Sequence, residues 1–167
     1  MPVKFQDFSM NVQAELNDVT IGWLYEASNE IKAQAQRDCK MTPEDHGQLK
    51  GSYGTSVNEG EGKADIGSPL ESAYWEEWGT GEHAAHGDGR KGWWVYVKGS
   101  SKGDGGESYA TEEEAKAVAE SMRKRGLDAY HTNGREPNYT LEHAFDRKKN
   151  PVINRLKQML KEGMDGK

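Results

Sequence analysis

The sequence is poor in cysteine and has no long apolar run. Cys39 is its one cysteine, so no internal disulfide can form and cysteine usage does not indicate secretion. Nowhere does the chain approach the roughly 20 consecutive apolar residues that a membrane-spanning helix needs. Residues 1–10 also lack the apolar core of a signal peptide. We therefore expect a soluble protein made in a cytoplasm, with no membrane partner.

Positive charge and apolar residues are both scarce. The chain has 22 Lys and Arg against 28 Asp and Glu, a net charge of −6, which argues against a specific nucleic-acid partner. Only 34% of its 167 residues are hydrophobic, which favours loops that become ordered on a partner. The acids concentrate in 59–82 and the bases in 147–161. This asymmetry fits head-to-tail contact between copies, although a charged run is more often a solvated face.

The first half of the chain has a helical pattern followed by a hairpin pattern. Apolar residues recur at spacings of three and four over 12–40, which predicts one long helix that ends at Pro43. The runs 53–58 and 63–67 flank a Glu-Gly-Glu-Gly turn and predict a β-hairpin. A short helix over the tryptophan-rich segment and a loop over 79–92 complete this half.

The second half predicts a strand, a helix, a second strand and helical segments to the end. Aromatic and β-branched residues make 93–97 a strand, and Thr111 to Glu114 forms a capping box that opens a helix. Gly126 caps that helix before a strand over 127–132. The unit 93–132 resembles an elaboration that is attached to the main sheet, with a glycine-rich loop at 99–106.

Asn150 and Pro151 indicate that one helix, begun at Thr140, stops and a new one starts. The predicted fold class is α+β: an antiparallel sheet packed by a long N-terminal helix and a C-terminal helix, with an inserted strand-helix-strand unit. We expect a single domain over 1–167.

Residues 74–81 place two tryptophans three positions apart around two adjacent carboxylates. Trp75 and Trp78 would share one side of a helical turn, since residues three apart are neighbours on a helix. Glu76 and Glu77 would face elsewhere, which predicts rings buried at an intermolecular joint and acids at its rim. The alternative is that both rings fill the domain's own core. The predicted interface consists of Tyr74, Trp75, Glu76, Glu77, Trp78, Gly79 and Thr80.

His83, His86 and Asp88 are the best candidates for metal ligands. Two imidazoles and a carboxylate suit zinc where a rigid element aims them inward, but glycines bracket this segment and no helix fixes it. Cys39, at the end of an amphipathic helix, reads as a core residue more readily than as an activated thiol. No catalytic residue, metal or cofactor is predicted. A metal-dependent hydrolase that uses these three residues remains an alternative.

Three short motifs follow one another along the chain in a fixed order. The first is a Pro-x-Asp-x-Gly-x-Leu-x-x-Ser turn, the second a tyrosine followed by Glu-x-Gly-Thr, and the third Pro-Asn-x-x-Leu-x-x-Ala-Phe. Their residues are Pro43, Asp45, Gly47, Leu49 and Ser52, then Tyr74, Glu77, Gly79 and Thr80, then Pro137, Asn138, Leu141, Ala144 and Phe145. In this order they resemble the tail-component (tail completion, head–tail joining) family of long-tailed bacteriophages. The sequence departs from that pattern at His46, Lys50 and Trp78, with residues of similar character.

The resemblance implies a late structural protein of the virion, not an enzyme. Such a protein completes the head-proximal end of the tail at the phage neck and joins tail to head as a ring of identical copies, with a hexamer expected. Its partners would be itself and the head connector, tail terminator or tail tube. It would lie in the virion, and in the host cytoplasm during assembly. A small host-directed binding module that uses 93–132 is a second alternative.

Overall fold

The structure, a computed structural model, describes residues 9–40, 47–99 and 106–165, with side chains from 17 to 163 within those ranges. Its elements in chain order are α1 (Ser9–Asp38), α2 (Gln48–Ser52), β1 (Gly54–Asn58), β2 (Lys63–Gly67), α3 (Glu71–Trp78), β3 (Thr80–Gly81), β4 (Trp94–Val97), α4 (Glu112–Lys124), β5 (Ala129–Thr132), β6 (Gly134–Arg135) and α5 (Thr140–Asp165). The chain forms two compact units: residues 1–70 with 140–167, and residues 71–139. The predicted α+β class, with a long helix at each end, is confirmed.

In the first unit, α1 and α5 pack along each other. Among the side chains that the structure describes, three ion pairs join them: Glu26 with Arg155, Glu30 with Lys148, and Asp38 with Arg147. Partner numbers fall along one helix as they rise along the other, so the helices are antiparallel. Their shared core contains Ile31, Ala35 and Ala144, and the two alanines are small enough for the helices to pack closely. The predicted long helix is confirmed, although it begins at Ser9 and ends at Asp38. Pro43 and the first motif's Asp45 and His46 lie outside the described residues.

The predicted hairpin is confirmed as β1 and β2. The strands pair antiparallel from Gly54 with Gly67 to Asn58 with Lys63. Along both strands exposed residues alternate with half-buried ones as far as Ile66, and the half-buried side chains are those of Thr55, Val57, Ala64 and Ile66. Since side chains alternate across a strand, this set forms one face, and the hairpin packs against α1.

The prediction that a new helix starts at Pro151 is wrong. α5 continues through this proline to Asp165. A proline inside a helix removes one backbone donor, and packing on both sides of it offsets that loss here. Ala144 and Val152 are both buried, and the Trp23 indole N–H donates to the carbonyl oxygen of Val152 over 2.6 Å. Tertiary contacts therefore override a local stop signal.

The second unit contains the predicted strand-helix-strand segment. β4 and β5 pair antiparallel from Trp94 with Thr132 to Val97 with Ala129, and α4 covers one face of them. The core consists of Val95, Ala115, Ala119 and Ala129. The predicted capping box is confirmed, with Thr111 and Glu114 bonded reciprocally. Gly126, at φ +86°, follows α4 as the left-handed residue that a helix end requires.

The sequence predicts a loop over 79–92, but the structure places a short strand at its start. β3 pairs with β6, Thr80 with Arg135 and Gly81 with Gly134. The two glycines permit this pairing, because a Cβ on Gly81 would lie 2.2 Å from the Asn133 carbonyl oxygen. Likewise, a Cβ on Gly134 would lie 2.1 Å from the carbonyl oxygen of Thr80. The segment 93–132 is thus part of a larger unit that includes α3 and this ribbon.

Within the described ranges, none of the helices has both the length and the apolar character that crossing a bilayer requires. Most of the predicted glycine-rich loop, residues 100–105, lies outside those ranges. The expectation of a single domain over 1–167 stays a prediction.

Candidate functional site

Helix α3 carries most of the predicted interface residues, and they do not face as the sequence predicted. The Tyr74 and Trp75 side chains are 50% and 45% exposed, whereas Glu76 is completely buried and Glu77 nearly so. The expectation that the acids form an exposed rim is therefore wrong. Trp75 does not fill the core of its own unit either. The outer face of α3 presents two aromatic rings, and its inner face presents two carboxylates.

Glu76 is buried because the end of the second unit supplies its partners. Its carboxylate pairs with the guanidinium of Arg135 and accepts a hydrogen bond of 2.9 Å from the Asn138 side-chain amide. The backbone N–H of Asn138 also donates to the Glu76 carbonyl oxygen over 2.8 Å. An ionised carboxylate that is buried away from water is stable only when it is paired with a positive charge and hydrogen-bonded. We call Glu76, Arg135 and Asn138 the clasp.

The turn after α3 is held against the same segment. Gly79 has φ +72°, and a Cβ there would lie 2.7 Å from the Arg135 carbonyl oxygen and 2.9 Å from the Pro137 ring. The hydroxyl of Thr80 accepts from the Arg135 backbone N–H over 3.0 Å. Only glycine fits such an approach without displacing the backbone. The second motif and the Pro137-Asn138 start of the third motif therefore meet in space.

Trp78 differs from Trp75 in its surroundings. It is half-buried, its ring centroid lies 4.6 Å from that of His86, and the Tyr139 ring meets it edge-on at 6.0 Å. Tyr139 has φ +46°, a left-handed conformation that is uncommon outside glycine. Of the two tryptophans, Trp78 thus supports the site from within the unit, and Trp75 is the one available to a partner.

The structure does not gather His83, His86 and Asp88 as metal ligands. The Nδ1 atom of His83 lies 2.7 Å from the Glu136 carboxylate, and its Nε2 lies 3.3 Å from the Asn133 side-chain oxygen. The His86 ring instead packs against Trp78, with the two ring planes tilted by 47°. In the part of the chain that the structure describes, no three His, Cys, Asp or Glu side chains are placed to hold a metal ion. His83 instead fastens its loop to the turn at 133–136.

Sequence reasoning missed an aromatic pair on the open face of β4 and β5. The rings of Tyr96 and Tyr130 are stacked at 5.6 Å, and each is more than 40% exposed. A hydrogen bond to Asp128 raises the pKa of Tyr130 above 10.0. Nearby, the Arg90 guanidinium lies over the Trp94 ring at 5.0 Å. The sequence pattern indicates this aromatic face, because side chains alternate across a strand and Trp94 and Tyr96 therefore lie on the same face of β4.

No protein-family model, curated protein or solved structure matches this chain.

Proposed function

We propose that this protein is a structural, non-enzymatic component of the phage neck. It completes the head-proximal end of the tail and joins tail to head as a ring of identical copies. The observation that carries the proposal is the pair of exposed rings on a helix whose inner face is held by the clasp. The order of the three motifs supports the same role. Its partners are further copies of itself and the head connector, tail terminator or tail tube.

Tyr74 and Trp75 have the properties of interface anchors. Large aromatic side chains lose little conformational entropy on binding and dominate the energetics of many protein interfaces. Both rings lie on an eight-residue helix that the buried Glu76 fixes to Arg135 and Asn138. A helix that is already fixed loses little further entropy on association. The site is thus suited to repeated, identical contacts between the members of a ring.

The role is tested by electron microscopy of a lysate from the phage whose gene for this protein carries a stop codon. Filled heads beside unattached or malformed tails are the expected result. Normal infectious particles would refute the neck assignment.

The surface is tested separately by complementing that phage with variants of this protein. Trp75→Ala should fold and yet fail to restore attached tails, because it removes the more apolar exposed ring of α3. Leu127→Ala is the matched control, since Leu127 is also an exposed apolar residue of the same unit, 44% against 45% exposed. Full restoration by Trp75→Ala would remove this face from the interface.

The exposed Tyr96 and Tyr130 pair favours a second candidate function, a small host-directed binding module that uses 93–132. Under that function, purified protein captures one discrete host protein, and a Tyr96→Ala and Tyr130→Ala double variant loses it. Absence of the protein from purified virions would favour this candidate over the first.

A further inference from the structure

The first unit contains an apolar groove beside β2. Its volume is about 350 Å³. Buried Leu24, Ala27, Ile31 and Val152 belong to its lining, together with exposed Phe145 and Ile153 from α5. A pair of packed helices is about 20 Å across, whereas two strands cover only about 10 Å. The two-stranded hairpin therefore leaves part of the helical layer uncovered.

The lining shows which edge of the hairpin borders this groove. Three consecutive residues of β2, Ala64, Asp65 and Ile66, line it, and no residue of β1 does. Side chains alternate across a strand, so three in a row line a groove only where the strand's backbone edge borders it. β1 already pairs with the other edge along the whole of β2. In the described ranges, no third strand pairs with β2.

We propose that this groove binds an extended peptide segment of another protein, which adds a third strand to the hairpin. An open strand edge offers backbone N–H and C=O groups that an extended segment satisfies and a helix does not. The helical floor accepts the apolar side chains that such a strand points inward. This proposal does not depend on the neck role.

The charged residues on the two walls of the groove determine which side chains suit the outward-facing positions of the bound segment. Asp65 lines one wall and Lys149 the other, and each is now paired with a near neighbour in sequence, Lys63 at 2.9 Å and Asp146 at 2.8 Å. Exposed pairs of this kind contribute little and exchange easily. The segment therefore has apolar residues at alternate positions, with a basic residue beside Asp65 and an acidic one beside Lys149.

The strands of this chain fit the groove less well than a foreign segment does. β1, β4 and β5 contain no Lys, Arg, Asp or Glu, so none of them offers an ion-pair partner for Asp65 or Lys149. β2 has both charges, but it carries β1 on its other edge. A second copy would thus enter as a hairpin together with its helices, whereas a foreign segment enters as a single strand.

Nuclear magnetic resonance on the full ¹⁵N-labelled chain tests the proposal. The probe is an acetylated and amidated heptapeptide, Thr-Val-Lys-Val-Glu-Val-Thr. We expect saturable shifts at the amides of Ala64, Asp65 and Ile66. Two N-methylated twins are the controls, one methylated at the valines and one at the polar residues. Alternate N–H groups of a strand point to opposite edges, so only one of the two methylated peptides loses the N–H groups that face β2. That peptide should bind at least about tenfold more weakly than the unmethylated heptapeptide, and the other methylated peptide should bind as well as it does.

A matched pair of variants locates the binding. Ile153→Asp should abolish the shifts, and Leu127→Asp should keep them, since the two side chains are 43% and 44% exposed and only Ile153 lines the groove. Equal binding by both twins, no shift along β2, or full binding by Ile153→Asp would overturn the proposal. The same shifts on raising the protein concentration without peptide would assign the groove to a second copy and overturn it too.

Discussion

Removing Arg135 is the sharpest test of how the candidate site is held. Arg135→Ala leaves the fully buried Glu76 carboxylate with the Asn138 amide as its remaining side-chain donor in the clasp. An uncompensated buried charge is costly, whereas the neutral amide of glutamine is not. Glu76→Gln keeps an acceptor for Asn138, so it should rescue much of what Arg135→Ala loses.

The magnitude follows from the burial of the two partners. Breaking a buried ion pair by deleting one member costs about 3–5 kcal/mol. Arg135 is 44% exposed, so water can replace part of the guanidinium. We therefore expect Arg135→Ala to cost about 2–3 kcal/mol of unfolding free energy. The double variant with Glu76→Gln should cost about 1 kcal/mol, because it still lacks one hydrogen bond and some packing.

Urea unfolding followed by tryptophan fluorescence measures this effect in the right part of the chain. Four of the five tryptophans lie in the second unit, and Trp23 is the exception. Unfolding midpoints at a constant slope give the free energies of the four members of the thermodynamic cycle. A cost below about 1 kcal/mol for Arg135→Ala, or a double variant no more stable than it, would refute the account of the clasp.

Three further predictions concern backbone fit and pH. Gly81→Ala should cost about 1–3 kcal/mol or more, because its Cβ would meet the Asn133 carbonyl oxygen at 2.2 Å; an unchanged urea midpoint would contradict the close approach of β3 and β6. Gly22→Ala should stabilise by about 0.5–1 kcal/mol, since Gly22 lies in the interior of α1 and a Cβ added there would meet no atom within 4 Å; a loss of thermal stability would be the contrary result. The pKa of Asp146 is lowered below 3.8 by its hydrogen bond to Lys149, so its contribution to stability is present above pH 3.8 and is lost as the pH falls through the folded pKa. Lys149→Met should return the carboxyl titration, followed by ¹³C resonance, to about 3.8, and an unchanged titration would show that Lys149 is not the cause.

Local signals predicted the local structure well. The capping box at Thr111, the hairpin turn and the period of α1 each depend on residues within a few positions of one another. Such signals act before any tertiary contact forms, so a sequence is enough to read them. The exposed Trp75 was predicted as an interface residue, and its role there stays a prediction.

Long-range partners explain what the sequence did not reveal. Glu76 turns inward because Arg135 and Asn138, about sixty positions later, return to meet it. The β3–β6 ribbon pairs residues equally far apart, and each of its strands has only two residues. Pro151 stays helical because Trp23 and the core of α1 pack on the same turn. None of these partners is marked by spacing or composition.

The clasp also has a mechanical consequence. The first and last segments of the second unit contact each other. Asn138 is bonded to Glu76, and the Tyr139 N–H donates to the Glu77 carbonyl oxygen over 3.3 Å. Tension applied to the chain on either side of 71–139 is therefore carried across these bonds, which form the base of the unit. The β4–β5 sheet and α4 lie beyond the bonds, in a loop of chain that such a pull does not load until the base has opened.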